Sequence, residues 1–341
     1  MSLDLPVALT GLEFQLVNSF QRDFPLLPNP FAVLAQRLET DESTIINYLQ
    51  KLQDAGVVSR VGAVFRPNVI GASALAAIAV PTSQFGSVAD YISALPEINH
   101  NYEREHHFNL WFVATAPSAD RLQQVFQEIE QACACGPVLV LPLRDDYHID
   151  LGFDLSDGAS RKFTRTPAKN VAASSLSLQT LAPSTQVLIA ALQKGLPLVT
   201  RPFAQLGLPE PEAIAMIAGW LEQQVIRRFG IIVRHHEFGY TANAMAVWDV
   251  PDQVVTEIGR RIAASGNVTL CYRRARQLPD WSYNFFCMIH GKDRDDVKAR
   301  LDALAVEYSL SAYPHDVLFS LRRFKQRGAY YCRTMPEIAH G

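Results

Sequence analysis

Arg60-Val61-Gly62-Ala63-Val64-Phe65-Arg66 and Arg228-Phe229-Gly230-Ile231-Ile232-Val233-Arg234 are one phrase written twice: an arginine, a glycine two places on, an apolar run and a closing arginine. Each copy leads, after a nearly equal stretch, to a second shared block: His100-Asn101-Tyr102-Glu103-Arg104 in the first half and Leu270-Cys271-Tyr272-Arg273-Arg274 in the second. Two blocks recurring in the same order mean that a whole folding unit is duplicated, and a duplicated chain can pair with itself as a dimer does. The halves can then be compared position by position. What both keep serves the fold first; what one alone carries is a candidate for chemistry.

Upstream of the first phrase, apolar residues recur at helical spacing over 12–24, 30–38 and 43–55; Pro28 and Pro30 mark a junction, Asp41 or Ser43 can cap the third helix, and Gly56 ends it. The second half repeats this over 185–194, 203–206 and 212–224. Three short helices before a strand (57–66, 225–234) predict a winged helix-turn-helix. Downstream, strands and helices follow in the order βαββαβ, with helices over 85–95 and 119–133 or 252–265 and 294–308, which predicts a ferredoxin-like unit. The expected class is α+β, a tandem duplication with a winged helix at 1–66, a ferredoxin-like domain at 67–156, a Ser/Thr/Ala-rich linker at 157–184, a second winged helix at 185–234 and a second ferredoxin-like domain at 235–341. This arrangement resembles the Lrp/AsnC family of transcription regulators, whose second domain pairs its sheets into dimers and binds small effectors.

Composition narrows the function. The formal charge of −3 gives no overall basic field, so nucleic-acid binding would need positive charge gathered on one face. The third helix of the first half begins Asp41-Glu42, and 210–222 in the second half carries three glutamates and no basic residue. Such helices meet phosphate with the wrong sign, so no DNA binding is expected; a regulator sensing a small effector is the rival reading. No stretch has the length of a membrane span and the first residues lack signal-peptide character, which predicts a cytoplasmic protein with no membrane partner. The five cysteines have no metal-ligand spacing.

Arginine, histidine, tyrosine and tryptophan crowd instead into the ribbons and the ferredoxin-like parts: Arg227-Arg228, Arg234-His235-His236, Tyr272-Arg273-Arg274, Trp281-Ser282-Tyr283-Asn284 and His290. Clustered guanidinium groups suit a ligand with several carboxylates, and the interleaved aromatics suit a flat apolar body. A flat polycarboxylate is a tetrapyrrole. The stretches RRFGxxVRHHExGYxANAM (227–245), CYRR with WSYNFFCMIHG (271–291), HNYEREHxxNLWF (100–112) and YHIDLGF (147–153) resemble the siroheme decarboxylases of haem d1 formation, in a form with two related subunits fused. The resemblance implies a carboxy-lyase that removes CO2 from the C12 and C18 acetate side chains of siroheme without oxidation. It implies no cofactor beyond the substrate's own iron tetrapyrrole, which serves as electron sink.

Such chemistry needs an acid at the carbon that loses CO2 and cations on the other carboxylates. His235, His236 and His100 are the candidate proton donors, and His235 or His290 the candidate ligand of the substrate's iron. Arg227, Arg228, Arg234, Tyr272, Arg273, Arg274, Trp281, Tyr283, Asn284, Arg104 and His148 are the candidate substrate contacts. Plainer roles stand beside these: His235 and His236 on a solvated wing, His290 as a hydrogen-bonded core histidine, His148 in a turn, and the repeated arginines lacing ribbon to sheet. Pro67 and Asn68 stand in the first half where the second has His235 and His236, which predicts one competent site dominated by the second half, with the first half completing its wall or binding more weakly. Pairing of fused chains into a homodimer is a further expectation.

Overall fold

The computed structural model describes residues 9–149, 152, 155 and 178–331. Most of the expected linker, and Asp150, Leu151 and Phe153 of YHIDLGF, lie outside the described residues. In each half three helical segments precede the ribbon strand. They are α1 (Gly11–Ser19), α2 (Pro30–Arg37) and α3 (Glu42–Asp54) before β1 (Val58–Phe65). In the second half α6 (Pro183–Leu192), a 3-10 turn (Pro202–Gln205) and α7 (Glu210–Glu222) precede β6 (Ile226–Val233). Local chemistry fixes the starts: Thr10 and Glu13 form a capping box on α1, and Asp41 accepts the Thr44 N–H at the head of α3.

The ribbon is not closed within either half. β1 pairs antiparallel with β6, Gly62 opposite Gly230. Each strand also bonds to the segment that follows the other half's first helix: Ile231 N–H donates to Phe20 O (2.8 Å) and Leu196 N–H to Val61 O (2.7 Å). Gly230 is obligatory at this crossing, since a Cβ there would lie 2.5 Å from the Gln21 carbonyl. One apolar core therefore runs through both helical parts, from Leu16 and Phe31 to Phe203 and Ile231.

The ferredoxin-like parts are exchanged in the same way. The first half supplies β2 (Ala72–Ile78), α4 (Phe85–Ala94), β3 (Ile98–Arg104), β4 (Leu110–Ala116), α5 (Ala119–Cys133) and β5 (Leu139–Ile149). The second supplies β7 (Ala242–Trp248), α8 (Val255–Ser265), β8 (Leu270–Arg274), β9 (Phe285–Gly291), α9 (Arg294–Glu307) and β10 (His315–Gln326). The strands close into a barrel in the order β10-β3-β4-β2-β5-β8-β9-β7. β5 begins on β2 and ends on β8, while β10 begins on β7 and ends on β3, so the last strand of each half completes the other half's sheet. Strand alternation sorts the side chains. Ala74, Ala76, Phe112 and Ala114, like their counterparts Ala244, Ala246, Cys287 and Ile289, face the helices; Leu75, Trp111, Met245, Tyr272 and Phe286 face the barrel interior. Among the described residues no helix is long and apolar enough to cross a membrane.

Candidate active site

Trp281 fills part of the barrel interior, packing edge-on against Trp111 (5.1 Å) and Tyr283 (5.0 Å). The space on the side of the β1–β6 ribbon is open. There a cavity of about 420 Å³ is walled by Ser59, Arg60 and Arg227 to the ribbon side and by Leu75, Trp111, Val113, Met245 and Met288 to the barrel side. This is the size range of small-molecule sites, with an apolar floor. Both halves contribute to every wall.

The polar part of the lining is one-signed. Arg60, Arg227, Arg228 and Arg234 come from the ribbon, Arg104 and Arg274 from the barrel, and Arg322, Arg323 and Arg327 from the end of β10, with no aspartate or glutamate among the described lining residues. Burial lowers the Arg60 and Arg228 guanidiniums to about 10, with the Arg228 charge adding to the shift at Arg60; both stay cationic at neutral pH. Arg104 donates to Leu318 O (2.9 Å) and Arg274 to Leu141 O (2.8 Å), each reaching the strand that arrives from the other half. Arg274 lies 4.5 Å from the Tyr272 ring centre. Arg227 is held from outside the cavity by Asp146, which also pairs with Arg66 at 3.2 Å.

Seven buried polar atoms in this lining have no hydrogen-bond partner: Nε of Arg60, Arg104, Arg227 and Arg274, Oδ1 of Asn99 and Asn243, and Oγ of Ser320. Buried polar groups are ordinarily satisfied, so such a concentration around one cavity marks a place built for a polar ligand.

Among the described residues two histidines line the cavity, one from each half and at non-equivalent positions. His100 on β3 lies nearly parallel to the Tyr102 ring, 6.1 Å away. His290 on β9 places Nδ1 at 2.7 Å from the Thr269 hydroxyl, and that hydroxyl donates to Met288 O at 2.9 Å. A hydroxyl has one proton, so Thr269 accepts from His290: Nδ1 carries the hydrogen and Nε2 the lone pair. Burial holds both imidazoles at about 4, and at His290 the charges of Arg104 and Arg300 push in the same direction. Both are neutral bases in the protein by itself.

Of the residues singled out in the sequence, His100, Arg104, Arg227, Arg228, Arg234, Tyr272, Arg274 and His290 line this cavity. Arg228 is tied down as well, donating to Gln21 O at 2.9 Å. Others stand elsewhere. Arg273 alternates to the outer face of β8 and pairs with Asp145 (3.5 Å) and Asp252 (2.9 Å). Asn284 is buried where it brackets the Val250 backbone, accepting its N–H and donating to its carbonyl, as Asn109 does at Val80. Trp281 and Tyr283 belong to the aromatic packing of the barrel interior. His148, lowered to about 4 by burial and then by the Arg227 and Arg22 charges, lies outside the lining. The backbone at His235 and His236 enters a 3-10 turn, His235–Phe238; their side chains are outside the described part of the structure. Sequence reading passed over Arg322, Arg323 and Arg327, although four basic residues in the seven from Leu321 to Arg327 were a legible signal. It also passed over Asn99, Asn243 and Ser320, which carry none.

Comparison with known proteins agrees with the duplicated architecture. The profile of the siroheme decarboxylase NirDL-like HTH domain matches residues 13–58 and 186–227, and that of the AsnC-like ligand binding domain matches 70–148 and 237–325. The siroheme decarboxylase NirDL subunit of Paracoccus denitrificans is 41% identical over 98% of this chain and 100% of its own length. The siroheme decarboxylase of Hydrogenobacter thermophilus is 32% identical over 93% of this chain and 94% of its own. Among solved structures, the crystal structure of the siroheme decarboxylase NirDL superposes with a TM-score of 0.66 at 30% identity, covering 94% of each chain. A second, of that enzyme in complex with an iron-uroporphyrin III analogue, gives 0.65 at 28% identity over 94% of this chain and 93% of that one.

Proposed function

Since this chain belongs to the siroheme decarboxylase family in its fused NirDL form, we propose that it removes CO2 from the C12 and C18 acetate side chains of siroheme to give 12,18-didecarboxysiroheme. The observation that carries the reading is the cavity itself: guanidinium groups on several sides, unpartnered polar atoms among them, an apolar floor and no carboxylate among the described lining residues.

Each step converts an acetate arm to a methyl group. The bond between the methylene carbon and the carboxylate breaks, its electron pair passes into the conjugated macrocycle, CO2 departs, and a proton completes the methyl. No oxidant or reductant is consumed. Arg104, Arg274 and the ribbon arginines hold the carboxylates that stay, which fixes the arm that leaves. His100 stands as proton donor, with His235 and His236 as further donors. Its imidazole is neutral in the protein alone, and a bound carboxylate raises its proton affinity, so the proton is taken up together with the substrate. His290, with Nδ1 engaged by Thr269, has the tautomer that offers a nitrogen lone pair to the substrate's iron.

We take the winged helices as packing devices and expect no DNA partner. The Lys51 ammonium on α3 is engaged by Glu13 at 2.7 Å, and α7 begins with Glu210 and Glu212. Anaerobic incubation with siroheme followed by mass analysis tests the function. Loss of two carboxyl groups supports it; a bound macrocycle of unchanged mass refutes it.

A further inference from the structure

The two halves keep the same framework but not the same charges where each final strand meets the other half's sheet. On β5, Asp145 sits directly opposite Arg273 of β8. On β10, Arg322 sits directly opposite Glu103 of β3. These are the same place twice, because Asp146 and Arg323, the next residues on each strand, face the equivalent tyrosines Tyr272 and Tyr102. The ion pairs form in both cases, Arg273 to Asp145 at 3.5 Å and Arg322 to Glu103, but with acid and base exchanged between strand and sheet.

We infer that this inversion is the device by which each half selects its unlike partner and rejects a second copy of itself. If two first halves paired through this surface, Asp145 would lie opposite Glu103 in both crossings. If two second halves paired, Arg322 would lie opposite Arg273. Like charges directly across an antiparallel pair repel, whereas the pairing of unlike halves gives attraction at both crossings. The partner this surface fits is thus a sheet of the same fold with opposite charge at the register position. In the fused chain the device favours closure within one molecule over strand exchange between molecules.

The test uses the full chain. The double variant Asp145→Arg with Arg322→Glu sets like charges opposite each other within the chain but makes like halves of two chains complementary. Its assembly mass by light scattering is expected to double relative to wild type, or its balance between intra- and intermolecular pairing to move roughly tenfold toward association. Adding Glu103→Arg and Arg273→Glu restores attraction within the chain with every sign reversed, and should return mass and melting temperature toward wild type. A double variant that does not fold, rescued by the quadruple one, supports the inference equally. A double variant with wild-type mass and stability, or a quadruple variant that recovers neither, overturns it.

Discussion

At the wall of the cavity the two halves lay the same strands beside each other and set different chemistry on them. In the first half Asn99 donates to Thr115 (2.7 Å) and Thr115 to Ser73 (3.1 Å), a chain of small neutral groups that begins at a carboxamide with an unpartnered oxygen. The second half has Thr269, His290 and Asn243 at the corresponding positions, with an imidazole in the middle and an unpartnered carboxamide oxygen at its end. His100, conversely, stands where the second half has Leu270. Arg104 and Arg274, with Tyr102 and Tyr272, are kept by both and perform the same tie across the barrel. Repetition marks what closes the barrel; departure marks what makes its cavity asymmetric, as a substrate with distinguishable edges requires.

Alanine substitution at matched positions of the two halves should give the most unequal effects. His100→Ala and His290→Ala should each lower turnover about 10²- to 10⁴-fold in the anaerobic decarboxylation assay. Leu270→Ala and Thr115→Ala, at the equivalent positions, should leave turnover of the folded protein unchanged. Equal losses in all four would mean that the halves are not differentiated. Next comes Trp281→Ala. The second half's longer loop puts this indole into the barrel rather than over the ligand, so the substitution should cost about 3–5 kcal/mol in denaturant unfolding, with KM held in the protein that remains folded. A raised KM at unchanged stability would return Trp281 to the ligand.

Arg227 against Ser59 is a smaller contrast. Arg227→Ala removes a cavity cation present in one half only and should raise KM roughly 10- to 100-fold, whereas Ser59→Ala should not move it. The mildest effect is on pH. Burial holds His100 and His290 at about 4 in the folded protein, below the 6.5 of a solvated imidazole, so the unfolded chain binds more protons between those values and stability falls as the pH is lowered through them. The melting temperature should therefore rise from pH 4 to pH 6.5, and more gently in a His100→Asn/His290→Asn variant.

Much of the fold was legible because helical and strand periods, caps and duplicated blocks are local properties. The exchange was not. Val58 to Phe65 reads as the strand of a wing whatever it pairs with, and nothing in its alternation says that its partner lies in the other half. The cavity lining was legible where strand phase and residue type agree, as at Tyr272 and Arg274, two apart on one face. Type alone misled at Arg273, which the same alternation turns outward, and at Asn284, whose carboxamide is spent on the backbone. The expectation that the first half completes the wall of a single site matches a cavity whose lining comes from both halves.

Anaerobic titration with siroheme, followed by absorbance, decides whether the two halves share one cavity. One macrocycle bound per chain, with affinity weakened by Arg104→Ala in the first half and by Arg274→Ala in the second, is the predicted result. Two macrocycles per chain, or binding indifferent to one half's arginine, would contradict it.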